Sequence, residues 1–144
     1  MKKCAPRGKI QIEMNLSLTV HEAALKSAPH IVLVHGMGSA ATAWKPLTLF
    51  LQERFNVITV DLPGHGQTPM IAGQSMDPIS IGELVVREVK EQFGVTEFDL
   101  IGNSWGGWIA LEMAASFPDS VRSVTALAPA GFWLATYVQR RPGA

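Results

Sequence analysis

Apolar positions along the chain follow two rhythms. Residues 9–21 alternate loosely, with Ile10, Ile12, Met14, Leu16, Leu18 and Val20 spaced by two, the period of a strand pair exposed on one face. The run Pro29-His30-Ile31-Val32-Leu33-Val34-His35-Gly36 is short, β-branched and ended by glycine, which predicts a strand buried on both faces of a parallel sheet. Residues 56–61, 98–102 and 121–128 repeat that pattern. Between these runs the period becomes helical. Ile81, Leu84, Val85, Val89 and Phe93 form a stripe opposite Glu83, Arg87, Lys90 and Glu91. Trp108, Leu111, Met113 and Ala115 predict a second helix over about 105–117, stopped by Pro118, and a third, shorter helix covers about 45–53.

Strands alternating with helices imply βαβ units, an α/β fold with a mostly parallel sheet and flanking helices. Sites in such sheets lie at the carboxyl ends of strands, here just after Val34, Val60, Ile101 and Leu127. No repeat or linker divides the 144 residues, which read as one domain.

Composition narrows the function. Twelve basic and twelve acidic residues cancel, which argues against nucleic acid as a partner. Lys2, Lys3, Arg7 and Lys9 read as a solvated arm. A single cysteine, Cys4, rules out an internal disulfide and fits a reducing compartment. The longest apolar run, 124–138, contains Pro129 and Gly131 and falls short of the roughly 20 residues of a membrane span. The expectation is a cytoplasmic protein with a small-molecule substrate. The histidines lack metal-ligand spacing, so neither metal nor cofactor is expected.

Three strand ends carry chemistry. Gly102-Asn103-Ser104-Trp105-Gly106 is a G-x-S-x-G between a predicted strand and a predicted helix. A sharp turn there exposes the Ser104 hydroxyl, while Gly102 and Gly106 let two backbones pass closely. The helix start at Trp105 aims free amides at an anion forming on acylation. A second backbone donor comes from the loop after an early strand: His35-Gly36-Met37-Gly38 makes the Met37 amide the candidate beside that of Trp105. His35 reads as a locally hydrogen-bonded side chain rather than a base. Asp61-Leu62-Pro63-Gly64-His65-Gly66 reads as a tight turn that Gly64 and Gly66 permit and His65 orders.

Through these three motifs, in this order, the chain resembles the α/β-hydrolase superfamily over about residues 9–137. Leu127-Ala128-Pro129-Ala130-Gly131-Phe132-Trp133 is similar to the strand end before the cap in bacterial members. The resemblance implies a serine hydrolase acting on a small carboxylic ester or related substrate, with Ser104 as nucleophile and the Met37 and Trp105 amides as oxyanion hole. The elbow with its second glycine, Gly107, is also similar to that of C–C hydrolases acting on ring-cleavage products.

The family's triad runs in the order Ser, Asp or Glu, His. After Ser104 the only acids are Glu112, two turns into the next helix, and Asp119, at a surface turn. All four histidines, at 21, 30, 35 and 65, precede it. The expectation is therefore the N-terminal part of a hydrolase, cut before the last strands and most of the cap. Residues 1–8 and 138–144 are expected to be mobile, Val121–Ala128 to be an unprotected edge, Phe132, Trp133, Leu134 and Tyr137 to lack a covering core, and the chain alone to be inactive and poorly soluble.

Two rivals compete. Gly36-Met37-Gly38-Ser39-Ala40-Ala41, with Asp61 twenty residues on, fits a dinucleotide-binding fingerprint. Pro46 opposes it, because that helix would start within the glycines and bury proline in its interior at a cost of about 3 kcal/mol. The second rival is a hydrolase-like module that binds a ligand without turning it over.

Overall fold

The computed structural model describes residues 16–131. Five strands, β1 (Ser17–His21), β2 (His30–Val34), β3 (Asn56–Asp61), β4 (Phe98–Asn103) and β5 (Val121–Leu127), form one sheet in the order β1-β3-β2-β4-β5. β1 runs antiparallel to β3, and every other pairing is parallel. A 3-10 turn (Ala41–Trp44) leads into helix α1 (Lys45–Leu51), and α2 (Pro78–Phe93) and α3 (Trp105–Ser116) follow β3 and β4. The expected mostly parallel α/β sheet is present, and the chain has the α/β-hydrolase architecture through β5.

Burial explains the strand order. β3 is buried at every position and β2 at all but its first, so the apolar runs sit centrally, where both faces are covered. The larger core lies under α2 and α3, where Val32, Val34, Ile58, Val60 and Leu100 meet Ile81, Val85, Ile109 and Met113. On the opposite face Ile31, Leu33 and Val57 pack on Trp44 beneath α1. Asn56, buried at the start of β3, staples the preceding loop: its Oδ1 accepts from the Ala23 amide at 2.9 Å and its Nδ2 donates to the Ala28 carbonyl at 2.9 Å.

Helix ends follow local chemistry. Asp77 caps α2 by accepting from the Ser80 amide at 3.0 Å, Pro78 occupies the first turn, and Gly94 closes the helix at φ 68°. Pro46 sits in the first turn of α1, where its missing N–H costs nothing.

Three expectations need correction. β5 is not buried on both faces: Arg122, Ser123, Thr125 and Leu127 are exposed, because β5 is an edge strand. Its first residues are tied down by polar contacts, with Asp99 on β4 accepting from Arg122 Nε at 3.1 Å and Ser123 Oγ at 2.7 Å. The hydrogen bonds from Arg122 hold the Asp99 carboxyl below the usual carboxylate range. The buried face of α3 is also rotated from the predicted one. Trp105, Gly106, Ile109, Ala110 and Met113 face inward, while Trp108 and Ala115 lie exposed. Gly106 admits the Val34 and His35 carbonyls there, which sets the inward face of the helix. Thirdly, α1 ends at Leu51, two residues before its expected end. The alternation over 9–15, Cys4, both terminal segments and Phe132 to Tyr137 lie outside the described residues. No described helix is long and apolar enough to cross a membrane.

α2 and α3 pack closely at Gly82. A Cβ at Gly82 would approach Met113 Cγ to 2.6 Å. Gly82→Leu is therefore expected to destabilise by roughly 1–3 kcal/mol, with part of that loss recovered by Met113→Ala in the same chain. A double-mutant cycle from urea denaturation checks this, and strictly additive effects would refute the direct contact.

Candidate active site

β4 ends at Asn103 and α3 begins at Trp105, so Ser104 alone makes the turn between them. It adopts φ 54° and ψ −116°, a left-handed geometry that costs a residue with a Cβ of order 1–3 kcal/mol. Three backbone hydrogen bonds hold it. The Ser104 amide donates to the Leu127 carbonyl at 2.9 Å, and its carbonyl accepts from Trp108 at 3.1 Å and Ala130 at 2.9 Å. The segment after β5 thus cradles the elbow, and Ala128 itself sits at φ 42°. The strand end at Leu127 is visible in the sequence, but its role as a clamp on the serine is not.

Glycine is required on both sides of this turn. A Cβ at Gly102 would fall into the Gly106 carbonyl and within 2.8 Å of Ala110 Cβ, and one at Gly106 would strike the Val34 and His35 carbonyls. The Ser104 hydroxyl stands over the loop that follows β2. A Cβ built on Gly36 would lie 3.2 Å from Ser104 Cβ and 3.7 Å from its Oγ. Ser104 is exposed, as is Met37 at 70%. Among the described residues no hydrogen bond takes the Met37 or Trp105 amide, whereas the Gly38 amide is occupied by His65.

The remaining motif residues hold these loops together. Asp61, at the end of β3, accepts from the Ala41 amide at 2.7 Å through Oδ1 and from the Gln67 amide at 3.0 Å through Oδ2. Its carbonyl accepts from Thr68 Oγ1 at 2.6 Å, and that oxygen accepts from the Ser17 amide at 2.8 Å. Gly66, at φ 52°, leaves the space that this carboxylate fills. Gly64 also has positive φ, at 76°. His35 is buried, its Nδ1 2.7 Å from the Gly36 carbonyl and its Nε2 accepting from the Leu62 amide at 3.1 Å. Burial pushes its pKa below the ordinary histidine value. His65 places Nδ1 3.0 Å from the Pro63 carbonyl and accepts from Gly38 at 3.0 Å. Its ring lies 5.2 Å from that of His35 and 6.1 Å from Trp105.

Neither imidazole is free to take a proton from Ser104, because all four ring nitrogens are engaged. His21 and His30 lie at the other end of the sheet, paired with or beside the start of β3. Glu112 accepts from Trp108 Nε1 at 3.1 Å on the flank of α3, and Asp119 is exposed. The dinucleotide reading loses its acid: the Asp61 carboxylate is buried and committed to the Ala41 and Gln67 amides. The helix it needs at Gly36–Ala41 is also absent, since residues 37–40 form turn and loop before the 3-10 turn. Thr68, seven residues beyond the end of β3 at Asp61, escaped the sequence reading, although a threonine beside a glycine turn is a recurrent backbone clamp.

Comparison with known proteins places these features in context. Residues 29–143 match the family model described as alpha/beta hydrolase fold. A pimeloyl-[acyl-carrier protein] methyl ester esterase of Methylococcus capsulatus is 36% identical over 101 residues, covering 69% of this chain and 36% of that protein. The monoacylglycerol lipase ABHD6 of Bos taurus is 33% identical over 119 residues, 78% of this chain and 34% of its own length. The solved enol-lactonase of Burkholderia xenovorans LB400 superposes with a TM-score of 0.73 at 23% identity, over 88% of this chain and 50% of that one, a likeness of fold. The chain spans about a third of the length of the curated relatives it matches.

Asp61→Asn preserves shape but turns an amide N–H toward one of the two backbone donors. It is expected to lose about 1–3 kcal/mol of stability. Urea denaturation checks this, and an unchanged midpoint would show that the carboxylate does not clamp these loops.

Proposed function

Since the chain belongs to the alpha/beta hydrolase family, we propose that it carries the nucleophile and oxyanion half of a serine hydrolase acting on a small carboxylic ester or related acyl substrate. The observation that carries this reading is the strained Ser104, clamped by three hydrogen bonds with its hydroxyl over the Gly36 loop. Strain maintained at such cost is characteristic of functional positions. In this reading Ser104 Oγ attacks the acyl carbonyl, and the developing oxyanion accepts from the Met37 and Trp105 amides. Those two N–H groups are unoccupied among the described residues, and one of them opens α3, where the helix dipole favours negative charge. The esterase and lipase named above support ester chemistry.

Turnover also needs a base, and the two nearby imidazoles are committed elsewhere. A serine hydroxyl without one is a weak nucleophile. Residues 1–144 by themselves are therefore expected to show no steady ester turnover. Ser104 is still the group a fluorophosphonate would mark, slowly, through its exposure and the two free amides. The binding-module reading predicts a folded chain that the probe leaves untouched.

The deciding experiment is fluorophosphonate labelling followed by peptide mapping. Label at Ser104, absent from Ser104→Ala, is the expected result. A folded chain with no label at Ser104 would defeat the nucleophile assignment. Steady p-nitrophenyl ester turnover by residues 1–144, lost in Ser104→Ala, would show that a base has been overlooked.

A further inference from the structure

His35 and His65 have the same hydrogen-bonding pattern. In each ring Nε2 faces a backbone amide, Leu62 at 3.1 Å or Gly38 at 3.0 Å, and Nδ1 faces a backbone carbonyl, Gly36 at 2.7 Å or Pro63 at 3.0 Å. A backbone N–H can only donate and a carbonyl can only accept. Only one form satisfies all four contacts: a neutral imidazole with its proton on Nδ1. Each ring also bridges the same two loops, in opposite directions. His35 belongs to the loop after β2 and reaches Leu62, while His65 belongs to the loop after β3 and reaches Gly38. Gly36 and Gly38 flank Met37, so the pair grips the backbone on either side of the proposed oxyanion donor.

We propose that His35 and His65 are positioning residues that act as a two-imidazole latch: as neutral Nδ1–H rings they fix the Gly36–Gly38 loop against Ser104, and a proton on His35 releases it. The catalytic use of the latch rests on the reading of Met37 as oxyanion donor. The tautomers and the release do not.

A protonated Nε2 would aim an N–H at another N–H, turning an attraction into a repulsion at that joint. The titratable groups facing the rings are each other, at 5.2 Å, and Asp61 from the end of β3. α3 contributes the uncharged Trp105. The Asp61 carboxylate favours the protonated form but already accepts two backbone amides, while the second imidazole and burial both oppose a charge on His35. The sign of the pH effect follows. His35 binds a proton more readily in the unfolded chain than in the folded one, so its contribution to stability is complete above the ordinary value of about 6.5 and is lost as pH falls below it.

The test is long-range 1H–15N correlation spectroscopy of the full chain with 15N-labelled histidine, together with amide exchange. At pH 7.5 both rings are expected to carry the proton on Nδ1, and Nε2–H on either ring would overturn the proposal. On acidification the Leu62 amide shift should titrate with the His35 ring it faces, and the Gly38 protection factor should fall about tenfold or more. His65→Ala should show that low protection at every pH. His65→Gln, whose Oε1 can accept from Gly38, should restore that protection. Protection that is insensitive both to pH and to His65→Ala would refute the latch. The wild-type spectra decide the tautomers even where a variant fails to fold. A chain that passes these tests while Ser104 resists the fluorophosphonate would leave the latch intact and remove only the nucleophile assignment.

Discussion

Ser104 is held at φ 54° by hydrogen bonds with the end of β5, with the segment after it and with α3, and the geometry of the carboxyl edge follows from that. β4 delivers the residue, α3 leaves from it, and the segment after β5 binds its amide and carbonyl. None of this is possible unless α3 lies almost against the backbones of β2 and β4. Gly102 and Gly106 allow that approach, since a side chain at either would overlap a carbonyl. The close approach has a second effect. It brings the loop after β2 beneath the serine, so Ser104 and its neighbouring amides are placed by backbone rather than by rotatable side chains. Preorganised backbone donors lose little on reaction, which makes them effective partners for a developing charge.

The sheet is consequently asymmetric. Its centre, β2 and β3, is buried except at His30 and leads into loops rich in glycine and histidine. Its β5 side is polar on one face and held at its start by Asp99, Arg122 and Ser123. α2 and α3 cover one face with a continuous core, while only α1 and the turn before it cover the other. Rigidity is thus concentrated where the loops of β2, β3 and β4 converge. An elbow that stores strain needs such surroundings, because a soft support would let Ser104 relax.

Much of this was legible in the sequence, and the failures have physical causes. The runs at 30–34 and 56–61 announced themselves because strands buried on both faces carry few polar positions to blur the pattern, whereas the run at 98–102, also expected to be buried on both faces, is only half-buried at Asp99 and Ile101. Gly102-x-Ser104-x-Gly106 was legible because steric exclusion leaves no substitute for glycine at either site. β5 misled only as a run buried on both faces: at the sheet edge, where it was also expected, it exposes Arg122, Ser123, Thr125 and Leu127. α3 misled because Trp108 was assumed to face inward, whereas Gly106 and Ala110 approach the sheet backbone between Trp105, Ile109 and Met113. The clamp from Leu127 and Ala130 was invisible, since backbone hydrogen bonds carry no side-chain signature. Asp61 could be read two ways from its spacing, and only the direction of its carboxylate separated a ribose ligand from a loop anchor.

The two histidines beside Ser104 show why proximity alone does not identify a base. A general base needs a free lone pair within reach of the proton it removes. His35 and His65 each have one lone pair, on Nε2, and each gives it to a backbone amide. Using either as a base would break the joint that holds the loop beneath Ser104, so positioning and proton transfer cannot be the same imidazole's task here. His35 and His65 serve the scaffold, and neither leaves a ring nitrogen free for proton transfer.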